Sequence, residues 1–502
     1  MNNALFWPLF ALQIAMGAFD TFYHHEMTER LAWRATQRGE LLLHGARNLL
    51  YCLLFAVLAW TQPRGLWAAA VLAIVVIEAV ITLMDFVEED RTRHLPASER
   101  VTHTLLALNY GAILLLLVPA LLGWARDATG FVPASYGLWS LLASAAAFGT
   151  LVTGLRDLAA ARHVSNLDRD AAAAIAPALA GRHTVLVTGA TGFVGQRLCE
   201  VLSAYGHKVI ALVRDPKKSA QFRPPFAVIT DLEQIADDEH IDAIVNLAGE
   251  PIANGLWTQA KRKKILRSRL DMTAAVVRLI ARLDHRPDVL VSASAKGWYG
   301  LHGDEELTEA APARPCFGHE VCDAWEEEAN RAEHLGVRVV LLRIALVFGS
   351  QGGMLGQLLP VFEWGLGGPI GSGRQWMAWI ERDDLVRLIL HAIARPDLSG
   401  PVNAATPHPV RNAQFTKALA HALRRPAFFR IPAWPLRLGL REFADELLLG
   451  GQRIVPAKAL ASGFVFHHPE LGEALCAILG RVRATPGHAR TARRVAAKTS
   501  FG

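Results

Sequence analysis

Apolar residues come in five long runs over the first third of the chain, at approximately 4–23, 41–60, 66–86, 104–124 and 136–154. A helix needs about 20 mostly apolar residues to cross a bilayer. The third and fourth runs, WAAAVLAIVVIEAVITLMDF and TLLALNYGAILLLLVPALLGW, are the most continuous, and the fifth is shorter and richer in alanine. So many runs in succession fit lipid better than the core of a soluble bundle, and they predict an all-α transmembrane helix bundle of about five spans over 1–155. The first run has no Lys or Arg before it and no clear small-residue cleavage site after it, so it reads as a retained span rather than a signal peptide.

Beyond the bundle the pattern changes. An Ala-rich stretch of mixed charge, 156–182, reads as a linker. After it, short β-branched runs alternate with helical segments, the pattern of a parallel α/β sheet. The first of these runs, HTVLVTGATGFVGQRLCEVLSAYG, passes from a Val-rich strand through Gly189, Thr191, Gly192, Phe193, Val194 and Gly195 into a helix. Gly189 permits the tight turn, Gly192 lets the backbone approach a pyrophosphate, and Gly195 lets the helix pack close on the sheet. The helix N-terminus offers free N–H groups to the phosphates. The next strand, HKVIALVRDP, has Val213 where an NAD enzyme usually keeps an acid for the ribose hydroxyls, followed by Arg214, with Lys217 and Lys218 nearby. An arginine there pairs with a 2′-phosphate, which favours NADP(H) over NAD(H).

From His183 to about Arg481 the chain resembles the extended short-chain dehydrogenase/reductase superfamily, and within it the NAD-dependent epimerase/dehydratase family proteins that carry their own C-terminal domain of unknown function. The strings that carry the resemblance are TGATGFVG, VNLAGEPIANGLW, SASAKGWYG, GPIGSGRQWMAWIERDDLV, GPVNAATPHPVRNAQF and GGQRIVPAKALASGF. It implies an α/β Rossmann domain over 183–350, a smaller substrate-binding lobe over 351–480 and a basic tail over 481–502. It places Asp231 and Leu232 at the adenine, and Leu247, Ala248 and Gly249 along the cofactor channel. Ser292 and Ser294 fall where the superfamily keeps its catalytic hydroxyl, and Arg343 and Arg374 toward the substrate cleft. Trp257, Trp298, Trp325, Trp376 and Trp379 fall in cleft-forming segments, and aromatic walls suit a flat or apolar substrate. Glu381 stands where relatives often have histidine.

The superfamily's usual engine, Tyr-x-x-x-Lys, is missing. The helix that should hold it reads CFGHEVCDAWEEEAN, with Gly318 and Cys322 at the approximate positions of the pair. Two replacements present themselves beyond Ser294. Tyr299 could donate a proton. Lys296, interrupting SASAKGW, could act as an acid or electrostatic stabiliser if its pKa is depressed. The alternatives are a packed tyrosine and a solvated lysine at the end of a strand.

Charge and composition sharpen this picture. With 502 residues, 52% hydrophobic and only 20% charged, the chain is neither disordered nor a coiled coil. The formal charge of +6 equals the charge of the tail after residue 480, where Arg481, Arg483, Arg490, Arg493, Arg494 and Lys498 face no acid. That removes the argument for nucleic acid and suggests contact with anionic lipid, or a free end. The five cysteines form no CxxC pair, so a reducing compartment is the default. Loops after spans one, three and five carry Arg30, Arg34, Arg38, Arg91, Arg93, Arg100, Arg156 and Arg162, against Arg64 and Arg126 on the other side. The positive-inside rule then gives a bacterial-type inner-membrane protein with its cofactor domain in the cytoplasm.

The spans also hold ionisable residues, which usually face a bundle interior and mark function. Asp20 with His24, His44 with Asn48, and Glu78 with Asp85 share helix faces, and His103 begins the fourth span. His24, His44, Glu78, Asp85 and His103 are candidate metal ligands, although the paired Glu-x-x-His signature of di-iron bundles is lacking. A haem or interfacial salt bridges are the other readings. Taken together, the sequence predicts a membrane-anchored NAD(P)(H)-binding oxidoreductase or epimerase acting on a small, apolar or membrane-associated metabolite. The alternative is a non-catalytic NADP(H)-binding sensor or scaffold. Oligomeric state is open.

Overall fold

The computed structural model describes residues 4–93, 95–167, 179–214 and 226–481. Lys217, Lys218 and the tail beyond Arg481 lie outside them. The chain forms two units, Met1–Arg169 and Asp170–Gly502.

The first unit contains α1 (Phe6–Phe19), α2 (Arg38–Trp60), α3 (Leu66–Thr92), α4 (Ala97–Trp124) and α5 (Leu138–Leu167). Among the described residues four helices, α2 to α5, are long and apolar enough to cross a membrane. The first apolar run differs from its expectation. It gives a 14-residue α-helix that continues as a π-helix over Asp20–Glu29. The cause is its polar second half: Asp20, His24, His25 and Glu26 are all buried, and buried polar groups must find partners inside the bundle. The fifth run, weakest by composition, forms the longest helix. Antiparallel strands β1 (Thr61–Arg64) and β2 (Gly130–Pro133) tie the loop after α2 to the loop after α4 at one end. Leu83, Leu108, Leu115 and Phe148 point outward, where a soluble bundle would carry charge. Helices α2 and α5 meet through glycines: a Cβ on Gly45 would lie 2.7 Å from Leu158 Cγ, and one on Gly154 3.1 Å from Asn48 Cβ. Small residues at a crossing let helix backbones approach closely.

The second unit is built on a parallel seven-stranded sheet of β3 (Thr184–Thr188), β4 (Lys208–Leu212), β5 (Phe226–Ile229), β6 (Ala243–Asn246), β7 (Val289–Ala295), β9 (Arg338–Ile344) and β13 (Gly400–Ala404). Its order is β13-β9-β7-β6-β3-β4-β5. The chain thus starts at β3, winds outward to one edge, and returns to build the other half, the doubly wound topology that opens a crevice at the strands' carboxyl ends. Short strands form two-stranded pairs outside it: β8 (Glu306–Leu307) with β15 (Arg453–Ile454), β10 (Leu346–Gly349) with β12 (Trp379–Glu381), and β11 (Trp376–Met377) with β14 (Val410–Arg411). The strands are nearly continuous apolar runs because helices cover both faces. Segment 351–480 does not stand apart from the sheet: β13 is its edge strand, and α10 (Arg382–Ala394) packs Leu385, Val386 and Ile389 into the core of one face.

Candidate functional site

Register sets the site. Thr188 and Asn246, the last residues of β3 and β6, stand level with Ser292 on β7, and Ser294, Arg343 and Asn403 stand side by side on β7, β9 and β13. Both rows lie at the carboxyl edge, where the crevice opens.

At the head of the sheet, β3 leads through Gly189 (φ +66°) into α6 (Phe193–Ala204). A Cβ on Gly189 would stand 2.9 Å from the Leu247 carbonyl, and one on Gly195 only 2.3 Å from the Gly189 carbonyl oxygen. Gly192 caps the helix in an extended conformation with no side chain over the first N–H groups. Those donors are therefore left for an anion. Thr191 and Val194 are half-buried, while Phe193 turns its ring against the turn of Gly349 and Gly352, where Cβ atoms would meet it at 2.6 and 2.7 Å. Arg214 is exposed directly after β4. Asp231 is exposed and caps a short helix through Glu233 N–H, whereas Leu232 is buried in the core of one sheet face rather than lining a surface. Leu247 and Ala248 are half-buried, and Gly249 lies against Arg269, whose guanidinium carbon a Cβ would approach to 3.1 Å.

Below this cradle a buried network ties the strand ends. The Thr188 hydroxyl donates to Asn246 Oδ1 at 2.7 Å. Asn246 Nδ2 donates to Thr273 (2.9 Å) and to Ser292 (3.4 Å), and Trp325 also donates to Thr273. Ser292 thus belongs to the support of the site.

The second row is an ion-pair brace. Ser294 Oγ donates to Glu326 Oε1 at 2.6 Å. Glu326 lies on α8 (Phe317–Asn330) and is gripped in a fork by Arg343, at 3.0 and 2.9 Å. Arg343 is 3% exposed, with its guanidinium 3.3 Å from the Trp298 ring centre and 3.3 Å from the Tyr299 hydroxyl. Expected at the cleft, it is an interior residue holding a carboxylate. Tyr299 is fully buried and donates to Asn403 at 2.6 Å, so its phenol is engaged. Nothing in the string WEEEAN distinguishes Glu326 from a solvated acid, and only the helix face that α8 presents to β9 reveals it.

Lys296 behaves differently. It stands where β7 ends, half-buried, with its ammonium donating to Gln452 at 2.7 Å. Burial lowers its pKa to about 8, against smaller upward pulls from Cys316, Cys322 and Glu446. At the positions of the missing dyad, the Gly318 N–H is taken by Glu446 (3.0 Å), and burial pushes the Cys322 thiol up to about 12, which removes it as a nucleophile. Glu381 is buried and caps α10 by accepting from Asp383 and Asp384.

The Lys296 shift makes a prediction. An amine whose pKa is lower in the folded than in the unfolded state weakens folding below pH 8, and stability rises as pH climbs from 8 toward the ordinary lysine range. Lys296→Met is therefore expected to raise Tm more at pH 7 than at pH 10, relative to the parent. Equal differences at both pH values would show an ordinary, solvated amine.

The remaining expected residues scatter. Trp376 is clasped between Arg411 and Arg453, at 4.1 and 5.1 Å, and donates to Asp304. Arg374 is exposed beside it. Trp325 and Trp379 are core, while Trp257 and Trp298 are half-buried. In the bundle, His24 is held by Asp20 and Ser98, and Glu78 accepts from Tyr51 and Thr82. His44, Asp85 and His103 fall in one buried cluster with Asp20, His25, Glu40, Glu89 and Glu99, which the sequence reading did not select. The spacing Glu-x-x-x-His, present at both 40–44 and 99–103, singles out Glu40 and Glu99 beside the two candidate histidines.

A strand, a glycine turn and a helix at the head of a doubly wound parallel sheet define a dinucleotide-binding Rossmann protein. Residues 185–405 match the model of the NAD dependent epimerase/dehydratase family, and residues 431–478 match a domain of unknown function, DUF1731. An epimerase family protein of Mycobacterium tuberculosis is 40% identical over 293 residues, covering 58% of this chain and 96% of the relative. The epimerase family protein SDR39U1 of Homo sapiens is 34% identical over 294 residues, covering 58% of this chain and 98% of the relative. The crystal structure of human SDR39U1 (isoform 2) with NADPH aligns with a TM-score of 0.53 at 32% identity, covering 60% of this chain and all of that one. A nucleoside-diphosphate sugar epimerase from Corynebacterium glutamicum aligns with a TM-score of 0.50 at 29% identity, covering 72% of this chain and 70% of that one. The chain belongs to the NAD-dependent epimerase/dehydratase family and is an NAD(P)-binding protein of the epimerase type.

Proposed function

We propose that this protein is a membrane-anchored, NADP(H)-using reductase or epimerase, with its cofactor domain in the cytoplasm and a small apolar or membrane-associated metabolite as substrate. The observation that carries the reading is Lys296: an amine with a pKa of about 8 at the carboxyl end of a central strand, on the edge where the crevice opens. The cofactor supplies or accepts hydride. The Lys296 amine exchanges a proton with the substrate oxygen, a transfer for which a pKa near working pH is the efficient choice. Ser294, with its proton committed to Glu326, acts as a positioning residue for the strand end. Tyr299 braces Asn403 and Arg343 in the same way. Arg214 stands after β4, where a 2′-phosphate would be met.

The test uses the full chain recovered from carbonate-washed membranes. The parent is expected to bind NADPH on the order of tenfold or more tighter than NADH by fluorescence titration, since a hydrogen bond to a charged group contributes about 1.5–3 kcal/mol. Arg214→Ala should bring the two affinities together. Tighter NADH binding by the parent would overturn the NADP(H) preference, and release by the wash would remove the anchor. Addition of a membrane metabolite extract should consume NADPH in the parent and not in Lys296→Met. The engaged Tyr299 phenol favours a second reading, a non-catalytic NADP(H) sensor. Tight binding with no consumption would establish that reading instead.

A further inference from the structure

We propose that the first unit binds a transition-metal ion, at a centre built from histidines and carboxylates at the end of the bundle away from the β1–β2 pair. Four helical segments each send a pair of potential ligands to this point. The π-helix brings Asp20 and His25, α2 brings Glu40 and His44, α3 brings Asp85 and Glu89, and α4 brings Glu99 and His103. On the three α-helices the members of a pair are four residues apart, which puts both on one face. On the π-helix they are five apart, which its wider turn aligns, and π-helical turns recur at functional sites. Seven of these residues form two overlapping quartets, Asp20-His25-Glu99-His103 and His25-Glu40-His44-Glu89, each with its ligand atoms within 4.8 Å of one another, and Asp85 adjoins them through His44 at 2.9 Å.

A cluster of polar groups is not by itself a site, and two further observations point to a cation. The first is His25. It is 6% exposed, and its Nε2 makes no hydrogen bond among the described residues. That atom faces Asp20 Oδ2 at 3.4 Å and Glu99 Oε1 at 3.7 Å. Atoms bonded to one ion at about 2.1 Å stand roughly 3–4 Å apart, and these separations fall in that range while making no hydrogen bond. Glu89 Oε1 likewise has no hydrogen bond, although it is only 1% exposed. The second observation is charge. Asp20, Glu40, Asp85, Glu89 and Glu99 face two guanidinium groups, Arg93 on Glu40, Glu99 and, at 3.5 Å, Glu89, and Arg47 on Asp85. Uncompensated buried carboxylates are costly, and a divalent ion supplies the missing charge where the imidazoles point. Neighbouring acids are already matched: Glu26 pairs with Arg156, and Asp157 receives Asn48. Mixed imidazole and carboxylate ligands with no thiolate suit iron, manganese or zinc rather than copper(I) or calcium.

The experiment uses the full chain in detergent, stripped with a chelator, loaded anaerobically with Fe(II) or with Co(II) as a spectroscopic probe, and desalted. At least one equivalent of metal per chain is expected to stay bound, and Co(II) is expected to show the visible bands of a histidine-ligated site. His25→Ala and His103→Ala should each reduce retention at least tenfold, while His240→Ala, exposed in the other unit, should not. Helical circular dichroism and unchanged NADPH titration confirm that the variants fold, and they keep this test separate from the proposed function. Retention by the folded parent no greater than that of His25→Ala would overturn the proposal and leave the cluster a network of ion pairs.

Discussion

Gly195→Ala is expected to abolish measurable NADPH binding, with a fall on the order of 100-fold, while the bundle remains folded. A Cβ at this position meets the Gly189 carbonyl oxygen at 2.3 Å, and both are backbone-fixed, so no rotamer relieves the clash. The helix must move away from β3, or the turn must open. Either change displaces the N–H groups that face the pyrophosphate, and misplaced donors lose the benefit of a preorganised site. Fluorescence titration against NADPH checks it, with Gly206→Ala as a nearby control whose Cβ meets nothing within 4 Å, although its φ of +78° adds some strain. Unchanged affinity in Gly195→Ala would mean that the phosphates lie elsewhere.

The second large effect concerns the buried ion pair. Arg343→Met removes both donors from Glu326 and leaves a carboxylate 7% exposed with only the Ser294 hydroxyl. Breaking a buried pair by deleting one partner costs about 3–5 kcal/mol. In a unit of this size that corresponds to a fall in Tm on the order of 10 °C, read on the transition that NADPH shifts. Arg343→Met combined with Glu326→Met should recover much of the loss, because no unpaired charge then remains. If the double variant melts no higher than the single one, the pair is not what holds α8 to β9.

The resemblance and the family agree along the second unit, and the reason is local. A strand, a glycine turn and a helix within His183–Gly206 must appear in that order for the phosphate cradle to exist, so the motif is visible in consecutive residues. The catalytic side was less legible. Ser294, Lys296 and Tyr299 are five residues apart on one strand and turn, yet one is tied to a buried acid, one is a depressed amine and one is fully enclosed. Those differences come from α8, β9, β13 and the segment around Gln452, which are brought alongside only by the parallel sheet. Arg343 shows the same limit: the residue suits a substrate cleft, and its partner is 17 positions earlier on another element.

In the bundle the division falls elsewhere. Hydropathy alone located every apolar segment, because lipid or core burial demands an unbroken run. It misjudged only the first, since continuity of apolar residues does not report whether a polar half can turn inward. The sequence by itself determined two unlike halves, the nucleotide-binding turn and the family, all of which depend on neighbours in the chain. Only the tertiary structure decided which ionisable groups are partnered. Burial and hydrogen bonding at Lys296, Glu326, His25 and Glu89 are set largely by residues distant in sequence, and ligand capacity is a property of that surrounding.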